Sequence, residues 1–137
     1  MASLADELKQ VPLFSSLSQR QLKRLARDFK KRDLKPGTTM LRQGHMSGVG
    51  FFVITEGEAA VSVDGREVAR LGRGDYFGEL GLISDRARTA TVTAATPLRC
   101  LELATWDFRR FVKDNSDVSW KLLQHVADLL AAAEARK

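Results

Sequence analysis

The sequence predicts a mainly β fold, a double-stranded β-helix or jelly roll, with helices before and after it. Three observations predict it. All ten glycines fall between positions 37 and 81. Short apolar and β-branched runs alternate with turn residues from there to about Leu103. Outside that interval the apolar residues recur at helical spacing. With 137 residues, 44% of them hydrophobic, the chain suffices for one domain and is short for two.

The reading divides the single domain into a helical lead (1–35), a β-roll (36–104) and C-terminal helices (105–137). In the lead, a short helix is expected around Leu4 to Gln10, with Pro12 as its break. A second helix starts at Ser18, where Gln21 completes a capping box and Leu17 staples onto Leu22. Leu22, Leu25, Ala26 and Phe29 form its apolar stripe. In the roll, the runs Thr39–Leu41, Phe51–Ile54, Ala60–Val63, Val68–Leu71, Ala90–Ala94 and Leu98–Leu103 read as strands. Asp64-Gly65 is the turn of a hairpin spanning Val61 to Val68. After the roll, Thr105 caps one helix and Ser116 a final one reaching about Ala135. Leu122, Val126, Leu129 and Ala133 stripe that last helix, with Leu123 and Leu130 beside them. Docking on the domain's own sheet and self-association (or a movable lid) are both open readings of that stripe.

Charge is uneven. Residues 1–43 hold 10 basic and 4 acidic side chains, while residues 44–137 hold 12 and 13. Arg20, Lys23, Arg24, Arg27, Lys30, Lys31 and Arg32 account for most of the excess and read as a solvated basic helix face. Phe29 is the one aromatic residue among them and belongs to the apolar stripe, which disfavours a stacking surface for single-stranded nucleic acid. No apolar run is long enough to span a bilayer. The N-terminus has no signal-peptide pattern, and Cys100 is the only cysteine, so a reduced cytoplasmic setting is expected.

The chemistry concentrates in Phe77-Gly78-Glu79-Leu80-Gly81-Leu82-Ile83-Ser84-Asp85-Arg86-Ala87-Arg88-Thr89-Ala90-Thr91-Val92. Gly78 and Gly81 allow a ligand to approach the backbone, and a helical turn between strands would aim its free N–H groups at an anion. Arg88 can offer paired hydrogen bonds to a phosphate. Glu79 would be repelled by that phosphate and suits a sugar hydroxyl instead. The ligand inferred is a compact phosphorylated sugar with a free hydroxyl.

This stretch resembles the phosphate-binding cassette of cyclic nucleotide-binding domains, which runs Phe-Gly-Glu, apolar residues, a variable turn, then Pro-Arg-x-Ala-Thr/Ser. Arg42-Gln43-Gly44 and Phe51 through Glu58 resemble the family's earlier glycine-bounded hairpin. The resemblance implies that Glu79 binds the ribose 2′-hydroxyl and Arg88 the cyclic phosphate, assisted by backbone N–H groups of Leu80, Gly81 and Thr89. It places Met40 and Val61 against the base, where ordinary core packing is the competing reading. Ala87 stands where the family usually has proline, and Arg86 is an extra cation. Thr89 is compatible with cyclic AMP and with cyclic GMP; the expectation tilts to cyclic AMP. The implied protein is a non-catalytic sensor whose ligand is cAMP or cGMP, with no further cofactor.

Other functions fit less well. The alternative is a ligand-free β-roll used for protein–protein interaction or dimerisation, with Glu79 and Arg88 as a buried pair, yet buried pairs stabilise poorly. A cupin-type metal site needs clustered histidines, and the sequence offers only His45 and His125, expected at the surface or in packing. Cys100 lies in an apolar strand without a general base nearby in sequence and reads as core. The family's transcription factors carry a helix-turn-helix after the long helix, and no such DNA reader follows in these residues. A protein partner or self-association through the C-terminal helix is the expected output.

Overall fold

Two capping boxes begin the chain. In the computed structural model, which describes residues 3–44, 50–79 and 89–136, the Ser3 hydroxyl accepts from the Asp6 amide at the start of α1 (Leu4–Lys9). The Ser18 hydroxyl does the same for Gln21 at the start of α2 (Gln19–Ala26). In each box the side chain at the third helical position accepts from the cap's own N–H, so two otherwise orphaned donors are satisfied. A 3₁₀ turn at Pro12–Phe14 joins the helices.

The helical lead is shorter than the sequence reading of 1–35. Helix α2 ends at Ala26, and Phe29–Leu34 is a strand, β1. Lys30, Lys31 and Arg32 therefore lie on a strand rather than a helix face. Pairing explains the difference: β1 runs antiparallel to β8 (Leu98–Leu103) from Phe29↔Leu103 to Leu34↔Leu98, and this ladder overrides the local helical preference of the basic residues. Phe29 still packs with Leu22 and Leu25, as its place in the stripe implied. The exposed lysines occupy an edge strand, where charge deters pairing with another chain.

The remaining strands are β2 (Thr39–Leu41), β3 (Phe51–Glu56), β4 (Ala59–Val63), β5 (Arg66–Leu71), β6 (Tyr76–Phe77) and β7 (Thr91–Ala94). They form two four-stranded sheets, ordered β1-β8-β3-β6 and β2-β7-β4-β5, and all their pairings are antiparallel. This is the β-roll with flanking helices that the sequence predicts. The β4–β5 hairpin turns at Asp64-Gly65 with φ of 52° and 80°, the left-handed pair a tight two-residue turn requires.

Strand β3 is buried on both faces. Phe51 and Val53 join Leu101, Leu103 and the helices in one cluster, while Phe52 and Ile54 join Leu98, Cys100 and the second sheet in another. The first sheet is thus a middle layer, with helices on one side and the second sheet on the other.

Helix α3 (Thr105–Asp114) and helix α4 (Ser116–Ala135) close the chain. Thr105 and Ser116 are the first helical residues rather than caps. Ala104 and Asn115 hold the cap positions, and neither makes a side-chain cap bond. The Ser119 hydroxyl instead bonds the Val112 carbonyl at 2.6 Å and ties the helices together. Val118 and Leu122 dock α4 on the body, whereas Trp120, Leu123 and Leu130 are exposed. The stripe therefore docks in its first turns and opens to solvent beyond them. Among the described residues no helix is long and apolar enough to cross a membrane.

Phe51 is the hub of the helix-side core. Its ring stacks on Phe108 at 4.6 Å, lies 5.4 Å from Tyr76, and meets Phe14 and Phe29 edge-on. Phe51→Ala is expected to lower stability by about 3–5 kcal/mol, seen as a fall in the urea midpoint with little change in slope.

Candidate ligand-binding site

The site is built where β6 ends. Phe77 pairs with Phe52 in register, and their rings stack at 5.0 Å, fixing this two-residue strand to the central β3. Gly78 follows with φ of +95°, and a methyl group there would sit 2.4 Å from the Gly50 carbonyl oxygen. A side chain is excluded both by conformation and by space. The backbone thus presses against the entry to β3 and delivers the next residue, Glu79, into the interior at 4% exposure. Glu79 is the buried charged residue among those described.

Its two oxygens have different environments. Oε1 accepts a hydrogen bond from His125 Nε2 on α4 at 2.8 Å. Oε2 is shielded from solvent and has no hydrogen-bond partner among the described residues. A buried charged acceptor left unpaired costs several times the net worth of an ordinary hydrogen bond, so such an atom marks a place where a donor belongs. The His125 ring lies 4.7 Å from the Tyr76 ring, which borders it on the strand side. The Glu79 carboxylate raises the imidazole's pKa against the opposing effect of burial, with Asp128 and Asp75 adding smaller contributions. Burial, and then the charges of Glu79 and Asp75, push the Tyr76 phenol up, so it stays a neutral hydroxyl.

The other residues picked from sequence fall as follows. Thr89 is exposed, two residues before β7. Met40 in β2 and Val61 in β4 are partly buried on the second sheet and pack against the inter-sheet cluster, as ordinary core residues do. Leu80, Gly81 and Arg88, together with Arg86 and Ala87, lie outside the described residues, as does His45. Cys100 is fully buried between the sheets, and burial pushes its thiol up to about 12, in keeping with a packing role.

His125 was not singled out as a site residue by sequence. It lies 46 positions from Glu79, so no local motif joins them. A trace was present in Val118, Leu122 and His125, spaced by four and three, where an ionisable residue continues a line of apolar ones.

The β-roll thus carries a buried acid at the end of a short strand, under the C-terminal helix. The chain belongs to the cyclic nucleotide-binding domain family, whose sequence pattern matches residues 31–115. It is 38% identical over 107 residues to a cAMP-dependent protein kinase regulatory subunit of Yarrowia lipolytica, covering 77% of this chain and 28% of that protein. It is 33% identical over 138 aligned positions to cGMP-dependent protein kinase, isozyme 1, of Drosophila melanogaster, covering 95% of this chain and 18% of that protein. The chain therefore spans less than a third of these relatives' lengths. A solved structure of cAMP-bound PfPKA-R superposes with a TM-score of 0.88 over 96% of this chain and 45% of that one, at 23% identity, and shows the shared fold.

The His125–Glu79 bond is testable by titration. The raised imidazole pKa means the charged pair contributes stability in full below the ordinary histidine value, and that contribution is lost as pH rises through the elevated one. NMR titration should place the His125 midpoint above that of a free histidine. In Glu79→Gln it should drop toward the ordinary value.

Proposed function

We propose that this domain is a non-catalytic cyclic nucleotide sensor working in the cytoplasm, with cyclic AMP as the first candidate ligand and cyclic GMP as the other. The observation that carries the reading is the unpartnered Oε2 of buried Glu79, at the position that the cassette resemblance assigns to the ribose 2′-hydroxyl. A hydroxyl supplies the single donor this oxygen lacks. Arg88 and the backbone N–H groups of Leu80, Gly81 and Thr89 would take the cyclic phosphate, and Met40 and Val61 would face the base. The curated relatives named for cAMP- and cGMP-dependent kinases support the ligand class.

The ligand acts only through differential affinity for two states. Glu79 touches both the ligand position and α4, so occupancy is read at the C-terminal helix. The exposed Trp120, Leu123 and Leu130 give that helix an outward face through which a protein partner or a second copy could receive the signal. The reading as a ligand-free interaction module is not favoured, because it leaves a buried carboxylate oxygen without purpose.

Calorimetric titration with cyclic AMP and cyclic GMP tests the proposal. Arg88→Ala is expected to weaken binding by ~2–4 kcal/mol, since the phosphate loses its charged donor. Glu79→Ala should weaken binding and narrow the preference over the 2′-deoxy analogue. Absence of binding by the unmodified domain, or unchanged affinity in Arg88→Ala, would overturn it.

A further inference from the structure

The contact between α4 and the carboxylate goes beyond the cassette. Resting on the reading above, we infer that His125 is a positioning residue of the ligand site: it holds Glu79 by one oxygen so that the other is presented to the ligand's sugar hydroxyl.

The geometry assigns the two oxygens separate tasks. Oε1 is engaged by His125 at 2.8 Å, and Oε2 is shielded from solvent and carries no hydrogen bond among the described residues. A hydroxyl has one hydrogen and needs one acceptor, so histidine and ligand can share the carboxylate without competing. The imidazole is itself fixed from two sides. Tyr76 lies against its ring at 4.7 Å, and Val118 and Leu122, both buried, dock the preceding turns of α4. Without this bond the carboxylate could turn about its last torsion, which is broad and two-fold, and present its oxygens indifferently. His125 also answers an electrostatic difficulty. A carboxylate near a bound phosphate diester meets like charge, and an N–H donor behind the carboxylate, stronger when the ring is protonated, offsets that repulsion.

The arrangement differs from an inhibitory plug. A plug would take the oxygen that the ligand needs, and ligand binding would require His125 to leave. Here the oxygen left without a partner is the one His125 does not touch.

The test is a cycle between residue 125 and the sugar hydroxyl, read by calorimetry at pH 7 with cyclic AMP and 2′-deoxy cyclic AMP on the unmodified domain, His125→Ala and His125→Gln. His125→Ala should weaken cyclic AMP binding about tenfold and change the deoxy analogue by less than about twofold. His125→Gln retains an N–H donor at similar reach and should recover most of the lost affinity. Equal losses for both ligands would reduce His125 to packing, and tighter cyclic AMP binding by His125→Ala would make it a plug; either overturns the inference. If the unmodified domain binds neither nucleotide, the proposed function fails as well. If it binds and prefers the 2′-hydroxyl while both variants match it, the positioning role alone fails.

Discussion

Burying a carboxylate is costly, and among the described residues the side chain that offsets the cost at Glu79 with a hydrogen bond is His125. Much of the surrounding architecture can be understood as what holds that acid in place. The Gly50–Gly78 approach brings the chain inward, the Phe52–Phe77 stack fixes the short strand that carries it, and α4 supplies the donor. Each contact joins a different part of the chain: the entry to β3, the end of β6, and the C-terminal helix. Glu79 directly follows Phe77 and Gly78 of the first two contacts in sequence and is bonded to the third element, so a change at its carboxylate bears on α4.

The layer that supports the acid is rigid for a simple reason. Strands β3 and β8 are covered on both faces, so their side chains alternate between the helix cluster and the inter-sheet cluster. Consecutive apolar residues such as Phe51-Phe52-Val53-Ile54 are then required rather than tolerated. The second sheet is covered on one side and is correspondingly more polar, as the exposed residues of β5 show.

Much of this was legible from the chain. The Ser18–Gln21 box, the Asp64-Gly65 turn and the long apolar runs report local chemistry, and the local chemistry prevailed. What misled was Phe29–Leu34: its basic residues continue a helical pattern by composition, but their strand state comes from a partner about seventy positions away. Thr105 and Ser116 misled by one residue, since a hydroxyl near a helix start is equally at home inside its first turn. At the site, the acid was legible because glycine and glutamate stand together in a motif. His125 was not, because its meaning depends on the fold bringing α4 over β6.

The lysines of β1 carry a consequence for how the protein behaves in solution. This strand forms the open border of the first sheet, and its outer backbone groups could template a strand from another molecule. Lys30 and Lys31, exposed there, repel an identical border approaching them. Such repulsion reaches only about 10 Å at 0.1 M salt and shrinks to about 3 Å at 1 M. The guard is therefore electrostatic rather than steric. Concentrated electrolyte weakens it, whereas the buried apolar contacts of the core are not subject to this screening.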